Sequence, residues 1–336
     1  MIEVIRIGLD TSKHVFQIHG VDATERPVLR KKLRRGQVES FFARLAPTLI
    51  GLEACGGAHH WARVLQGLGH EVRLLPPQYV KPYVKRGKND AADAEAICEA
   101  MSRPSMRFVP VRTAENQAEL MLHGARDLLL KQRTMLMNAI RGHAAEFGLT
   151  GAKGVGKIAA LLAQTVGGPV PELAREVFAR LTEQLASLER QIQQLERKLL
   201  AWHRASDRSR RLATIPGIGP IGATALTMAV PDPAVFASGR HFAAWLGLTP
   251  KDHSTAGRQR LGVITRAGDE TLRRLLVNGA MAMIKTARPG RTSSWLLGLL
   301  ARKPKKLAAV ALANKNARIA WAIMMRNEGF RRSMSA

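Results

Sequence analysis

The chain has 336 residues, 46% of them hydrophobic, with 52 Lys and Arg against 26 Asp and Glu, a formal charge of +26. That length allows two domains, the apolar content excludes a wholly disordered chain, and the charge calls for a polyanion whose counterions are released on binding. A membrane surface is the other partner open to a basic chain, but no apolar run approaches the roughly 20 residues that cross a bilayer.

The stretch from Met1 to Lys13 is too short and too polar, with Arg6 and Asp10, for a secretory signal. Cys55 and Cys98 make no disulfide framework, so a reducing cytoplasm is the expected compartment. Ribosomal and chromatin-packing proteins share this charge balance, so any chemistry must come from particular residues.

In chain order, Val4 to Asp10 reads as a short apolar strand ending on a carboxylate. Val15 to Val21 and Arg26 to Leu33 read as two more strands, and Gly36 to Leu45 as a helix. Thr48 to Glu53 is a second apolar run that ends on a carboxylate. A helix over Ala58 to Leu68, a strand over Glu71 to Leu75 and a helix over Asp90 to Met101 complete an α/β pattern. From Ala114 to Phe147 the chain reads as one long helix, and Gly148 to Pro171 as a glycine-rich loop. Phe178, Leu181, Leu185, Leu188, Ile192, Leu195 and Leu199 then recur at spacings of three and four, an a/d seam. That seam serves either dimerisation or a hairpin with the Ala114–Phe147 helix. Beyond Leu212 the chain is mostly helical, with helices over Thr271 to Thr286 and Lys305 to Arg326, and strand-like pieces between Leu248 and Ile264. The expected boundaries are 1–110, 111–208 and 209–336.

Four acids draw notice in a chain so short of acid: Asp10, Glu53, Asp90 and Asp93. Asp10 and Glu53 close two strands at their C-terminal ends, where α/β sheets gather their sites. Asp90 and Asp93 are three apart at a helix start and so share one face. A helix laid across the strand ends would collect four like charges that need a cation. Two Mg²⁺ ions roughly 4 Å apart suit phosphoryl transfer. The alternative is local: Asp90 caps its helix, Asp93 favours the helix dipole, and Asp10 caps a turn before Thr11. Lys85, Arg86 and Lys88, just before Asp90, would hold a nucleic-acid backbone or form a solvated loop. His59 and His60 lack further ligands at zinc spacing and read as helix-start residues near DNA.

Gly151 to Lys157 matches G-x-x-x-x-G-K, but Ile158 stands where Ser or Thr would hold Mg²⁺ and no strand precedes, so triphosphate binding is rejected. Ile215-Pro-Gly217-Ile-Gly219-Pro220 reads as a helix-hairpin-helix turn whose glycines approach a phosphate, or as a tight turn between packed helices. The segment from Gly247 to Arg274 is dense in hydroxyls and cations. Arg258, Arg260, Arg266 and Arg273 would neutralise a phosphate there, beside His253 and Ser254. Without a base or a cation field a hydroxyl is a weak nucleophile, so composition favours a merely phosphate-binding or turn-capping Ser254 and Thr255.

Five pieces in this order carry a resemblance: Ile7-Gly-Leu-Asp10-Thr-Ser-Lys13, Leu52-Glu53-Ala-Cys-Gly56, Asn89-Asp90-Ala-Ala-Asp93-Ala94, Ile215-Pro-Gly-Ile-Gly219, and Leu246-Gly-Leu-Thr-Pro250 through Arg274. Across nearly its whole length the chain resembles the DEDD transposases of bacterial insertion sequences, a family of bridge-RNA-guided recombinases. The resemblance implies an RNase-H-like, resolvase-like N-terminal domain with Asp10, Glu53, Asp90 and Asp93 on Mg²⁺. It implies a helical hairpin or coiled coil for oligomerisation, and a mostly α C-terminal domain with Ser254 as a nucleophile forming a transient phosphoserine link. Alignment around the serine needs a small gap, which keeps Thr255 as a competitor. The implied partners are donor and target DNA, a structured non-coding RNA, and further copies of the chain in a dimer or tetramer, with the two sites meeting between subunits. Two rivals stand beside this: a metal-dependent nuclease like the Holliday-junction resolvases, with Ser254 inert, and a non-catalytic nucleic-acid organiser.

Overall fold

The computed structural model describes residues 3–84, 89–255, 257–290 and 292–330. The chain divides into two units, Met1–Gln117 and Ala118–Ala336.

The first unit is built on a mixed five-stranded sheet. Strands β1 (Arg6–Asp10), β2 (Val15–Val21) and β3 (Pro27–Arg34) form an antiparallel meander. After the short helix α1 (Val38–Phe42), β4 (Leu49–Glu53) returns parallel to β1. Helix α2 (Ala58–Gly67) then leads to β5 (Glu71–Leu75), parallel to β4, giving the order β3-β2-β1-β4-β5. Central strands covered on both faces read as apolar runs, and Ile7, Leu9, Ile50 and Leu52 are all fully buried. The edge strand β3 is dense in Arg and Lys and mostly exposed, which guards its free edge against pairing.

Strand alternation sorts the two faces. Ile7, Leu9, Ile50 and Leu52 point into a core with Trp61, Ala62 and Leu65 of α2. The opposite face receives α4 (Asp90–Ala100), which follows the short helix α3 (Pro77–Val80). Gly8 and Gly51 lie opposite one another in register on that face. A Cβ on Gly8 would fall 2.0 Å from the Ala94 carbonyl oxygen, and one on Gly51 2.6 Å from the Met101 sulfur. The bare glycine backbones therefore let α4 settle directly on the middle of the sheet. This mixed α/β unit is consistent with the RNase-H-like domain that the resemblance implies.

Helix α5 (Ala114–Ala145) crosses the division between the units. In the second unit it runs antiparallel to α7 (Glu172–Ala205). Trp202 Nε1 donates to Glu119 at 2.8 Å, Arg126 pairs with Glu196 at 2.6 Å, and Phe147 meets Phe178 edge-on at 6.3 Å. Phe178, Leu185, Leu188, Ile192 and Leu199 of the heptad seam are thus buried within a single chain. Where the sequence reads as a glycine-rich loop, residues 158–167 form a helix, α6 (Ile158–Gly167). Its apolar side, Ile158 and Leu161, joins the core of Met137, Ile140 and Phe178, and the glycine pair at its end stops it. No strand precedes the Gly151–Lys157 loop, in keeping with its rejection as a phosphate loop.

The rest of the unit is a helical bundle with one small hairpin. Its elements are α8 (Asp207–Leu212), α9 (Pro220–Ala229), α10 (Gly239–Trp245), β6 (Pro250–Asp252) with β7 (Leu261–Ile264), α11 (Glu270–Lys285), α12 (Ser294–Arg302) and α13 (Lys305–Arg326). The central helix α13 buries Ala308, Ala309, Ala313, Ala317 and Ala320, small side chains that let α10 and α11 pack close. His123 of α5 bonds Thr224 of α9 at 3.1 Å, so hairpin and bundle share one unit. Among the described residues no helix is long and apolar enough to cross a membrane.

Candidate functional site

Asp10 and Glu53 occupy the last positions of the neighbouring parallel strands β1 and β4. Alternation places both on the face of Gly8 and Gly51, the face that α4 covers. The first turn of α4 supplies Asp90 and Asp93. Single carboxylate oxygens of Asp10, Asp90 and Asp93 lie within 4.8 Å of one another. Glu53 stands outside that tightest trio but within its field, for its charge raises the Asp10 pKa.

The local explanation for Asp90 does not hold. Asn89 is the N-cap, its side chain accepting from the Ala92 amide at 2.8 Å, and Asp90 is the first helical residue. Ser12, not Asp10, closes the turn after β1 by accepting from the Val15 amide at 3.1 Å. Asp90 is thus released from capping, while the Asp10 carboxyl accepts a hydrogen bond from the Thr11 backbone.

The electrostatics follow from crowding. Burial, then the charges of Asp93, Asp90 and Glu53, push the Asp10 carboxyl up to about 6. Burial and Asp93 raise Glu53 as well. Among the described residues no ion pair involves any of the four acids. Hard oxygen donors that converge without a cationic side chain suit a divalent cation, and these residues can hold one. Lys85, Arg86 and Lys88 lie outside the described residues. His59 is half-buried and accepts from the Arg112 amide at 3.2 Å, and burial with Arg112 and Arg63 lowers its pKa to about 4. It is a neutral, structural histidine.

Ser254 lies in the loop joining β6 to β7, exposed to solvent. Its amide donates to Asp252 Oδ1 at 2.8 Å, and its hydroxyl oxygen accepts from the Arg260 amide at 3.0 Å. Hydrogen bonds from Ser254 hold the Asp252 carboxyl below the usual carboxylate range. The sequence reading passed over Asp252; an acid two residues before a serine is the Asx-turn signal that marks it. Thr255 instead pairs its backbone with Arg258. Arg258 and Arg260 are exposed in this loop, whereas Arg266, also exposed, lies beyond β7 at the base of the hairpin, its amide donating to the Gly247 carbonyl at 3.2 Å. Arg273 differs: its guanidinium donates to the Leu246 and Ala267 carbonyls at 3.0 and 2.7 Å, which ties the hairpin to α11.

The two turn glycines also part company. Gly217 has φ of 90° and faces the protein, where a Cβ would lie 3.1 Å from the Gly279 carbonyl oxygen. Asn316 Nδ2 donates to the adjacent Pro216 carbonyl at 2.9 Å. Gly219, exposed at the start of α9, has open space above it.

Comparison with known proteins gives this geometry its family. Residues 7–147 match the DEDD transposase profile of the IS110 type, and residues 209–294 match the transposase IS116/IS110/IS902 family. A Sinorhizobium fredii protein named as a transposase is 60% identical over 98% of this chain and 87% of its own length. A family 20 transposase of Pseudomonas aeruginosa is 50% identical over 97% of this chain and 98% of its own. The transposase of insertion sequence IS1328 from Yersinia enterocolitica is 40% identical over 96% and 97%. The chain therefore belongs to the IS116/IS110/IS902 family of transposases, enzymes that cut and rejoin DNA.

Proposed function

We propose that this transposase breaks and rejoins donor and target DNA at sites specified by a structured non-coding RNA, with Mg²⁺ on Asp10, Glu53, Asp90 and Asp93 and with Ser254 as the nucleophile. The observation that carries the reading is the convergence of carboxylates from the sheet ends and α4, Asp10 and Asp93 half-buried and Asp90 exposed, free of ion pairs to described residues. Magnesium ions bound there would supply positive charge for the oxygens of a phosphoryl transfer. Around Ser254, the exposed Arg258 and Arg260 supply cations for a phosphate.

In the proposed step the Ser254 oxygen forms a bond to phosphorus, its proton departs, and the bond from phosphorus to one DNA oxygen breaks. That oxygen leaves as a strand-end hydroxyl. Attack by a hydroxyl of the new partner strand releases Ser254 and restores a phosphodiester, so no nucleoside triphosphate is consumed. The amide of Arg260 and the carboxylate of Asp252 orient the serine. The formal charge of +26 suits an RNA as well as a DNA partner, since both are polyanions.

The test is redirection. Purified protein, Mg²⁺, labelled donor and target, and the RNA flanking the element should give joined products. Changing the RNA bases that pair with the target should move the junction to the matching new sequence. Junctions that form without RNA, or that ignore its sequence, would overturn the RNA assignment.

A further inference from the structure

An open groove of about 1130 Å³ runs along α13 beside the hairpin that carries Ser254. The buried face of α13 packs into the bundle, and a second flank of the helix, Leu307, Ala311, Asn314 and Arg318, forms the floor. Val263 and Ile264 of β7 form the facing wall, and Trp295 of α12 lines the groove with them. The apolar lining is open to solvent: Trp295 is 41% exposed, Leu307 51% and Val263 69%. Such a surface is an interaction site by its chemistry.

The charges select the occupant. Arg240, Lys315 and Arg318 line the groove, and among the described residues no carboxylate does. None of the three forms an ion pair with a described residue. The Lys315 ammonium lies over one face of the Trp295 ring, 4.3 Å from its centre, so a cation and an aromatic surface already share this wall and the other face is the one left for a base. A second copy of so basic a chain would bring more positive charge to this rim. Duplex DNA hides its base faces in its own stack. An unpaired strand offers both complements at once, flat apolar bases and a phosphate every nucleotide.

We propose that this groove holds unpaired nucleotides of a DNA strand, with a base stacked on Trp295 and phosphates on Arg240, Lys315 and Arg318. Because β7 is both the groove wall and one arm of the Ser254 loop, a strand held here lies on the hairpin that bears the proposed nucleophile. Binding is read without metal or strand transfer, so the proposal stands or falls independently of Ser254 chemistry.

The test measures anisotropy of a labelled oligodeoxynucleotide, the same sequence as RNA, and the DNA duplex, against full-length protein and its variants. Trp295→Ala should weaken single-strand binding by about five- to a hundredfold, the cost of one lost stack, with duplex binding unchanged. Trp295→Phe should restore most of it, and a larger loss for the RNA oligomer than for the DNA would overturn the assignment to DNA. In the wild-type protein, 5-iododeoxyuridine in the DNA oligomer should cross-link on irradiation to the peptide containing Trp295, a readout independent of the variant's folding. Equal losses for single strand and duplex, no loss, or a cross-link elsewhere would overturn the proposal. A change of oligomeric state with Trp295→Ala and no change in single-strand affinity would assign the groove to a second copy of the chain instead.

Discussion

A carboxyl raised to about 6 is a group that the fold ionises at a cost. An ordinary aspartate titrates near 4, so between about pH 4 and pH 6 the folded chain keeps a proton that the unfolded chain has lost. Stability of the metal-free protein should therefore fall as pH rises through that window. A divalent ion replaces the proton, so stabilisation by Mg²⁺ should grow over the same range. Asp10→Asn removes the ionisation cost and a ligand together. Thermal melts should show this variant more stable than wild type at pH 7 without metal, and unmoved by millimolar Mg²⁺. A wild-type melting temperature indifferent to Mg²⁺ would contradict the metal assignment. Ser254→Ala belongs to the same scale. Ser254 is exposed and makes only turn contacts, so its loss should leave the unfolding free energy within about 0.5 kcal/mol of wild type while abolishing strand joining.

At the scale of elements, the site depends on how closely α4 lies on the sheet. Gly8→Ala would put a methyl 2.0 Å from the Ala94 carbonyl, and backbone must move to admit it. Such overpacking costs about 1–3 kcal/mol. Denaturant melts should show that loss, and calorimetry should show weaker Mg²⁺ binding, because Asp90 and Asp93 ride on the displaced helix. A variant as stable as wild type would contradict the close-packing account. Much of this was legible in the sequence. The strands read I-G-L-D and I-G-L-E, apolar residues for one face and glycine then acid for the other, so one pattern encodes both the helix seat and the ligands. Helix α6 was not legible, because the glycines around it outweighed a ten-residue local signal that only packing on Phe178 makes decisive. Nor was the division of labour within 247–274. Arg258 and Arg273 look alike as cations, and only the fold turns Arg273 onto two carbonyls and leaves Arg258 exposed.

Over the whole molecule the excess of Lys and Arg governs encounter with nucleic acid. Binding of duplex DNA should weaken steeply and linearly in log–log form as salt rises, with a slope near −0.9 per phosphate contacted. A shallow slope, equivalent to one or two contacts, would contradict a basic surface that tracks the backbone. The central claim is that metal-held acids in one unit and a serine in the other act on the same DNA. The most direct measurement runs end-labelled donor and target DNA with protein, element-flanking RNA and Mg²⁺ on a denaturing protein gel. Ser254→Ala and Asp10→Ala run alongside. The account predicts a DNA–protein adduct that requires RNA, metal, Ser254 and Asp10 together. Metal-dependent cuts without an adduct, untouched by Ser254→Ala, would contradict it and leave a nuclease of the resolvase kind.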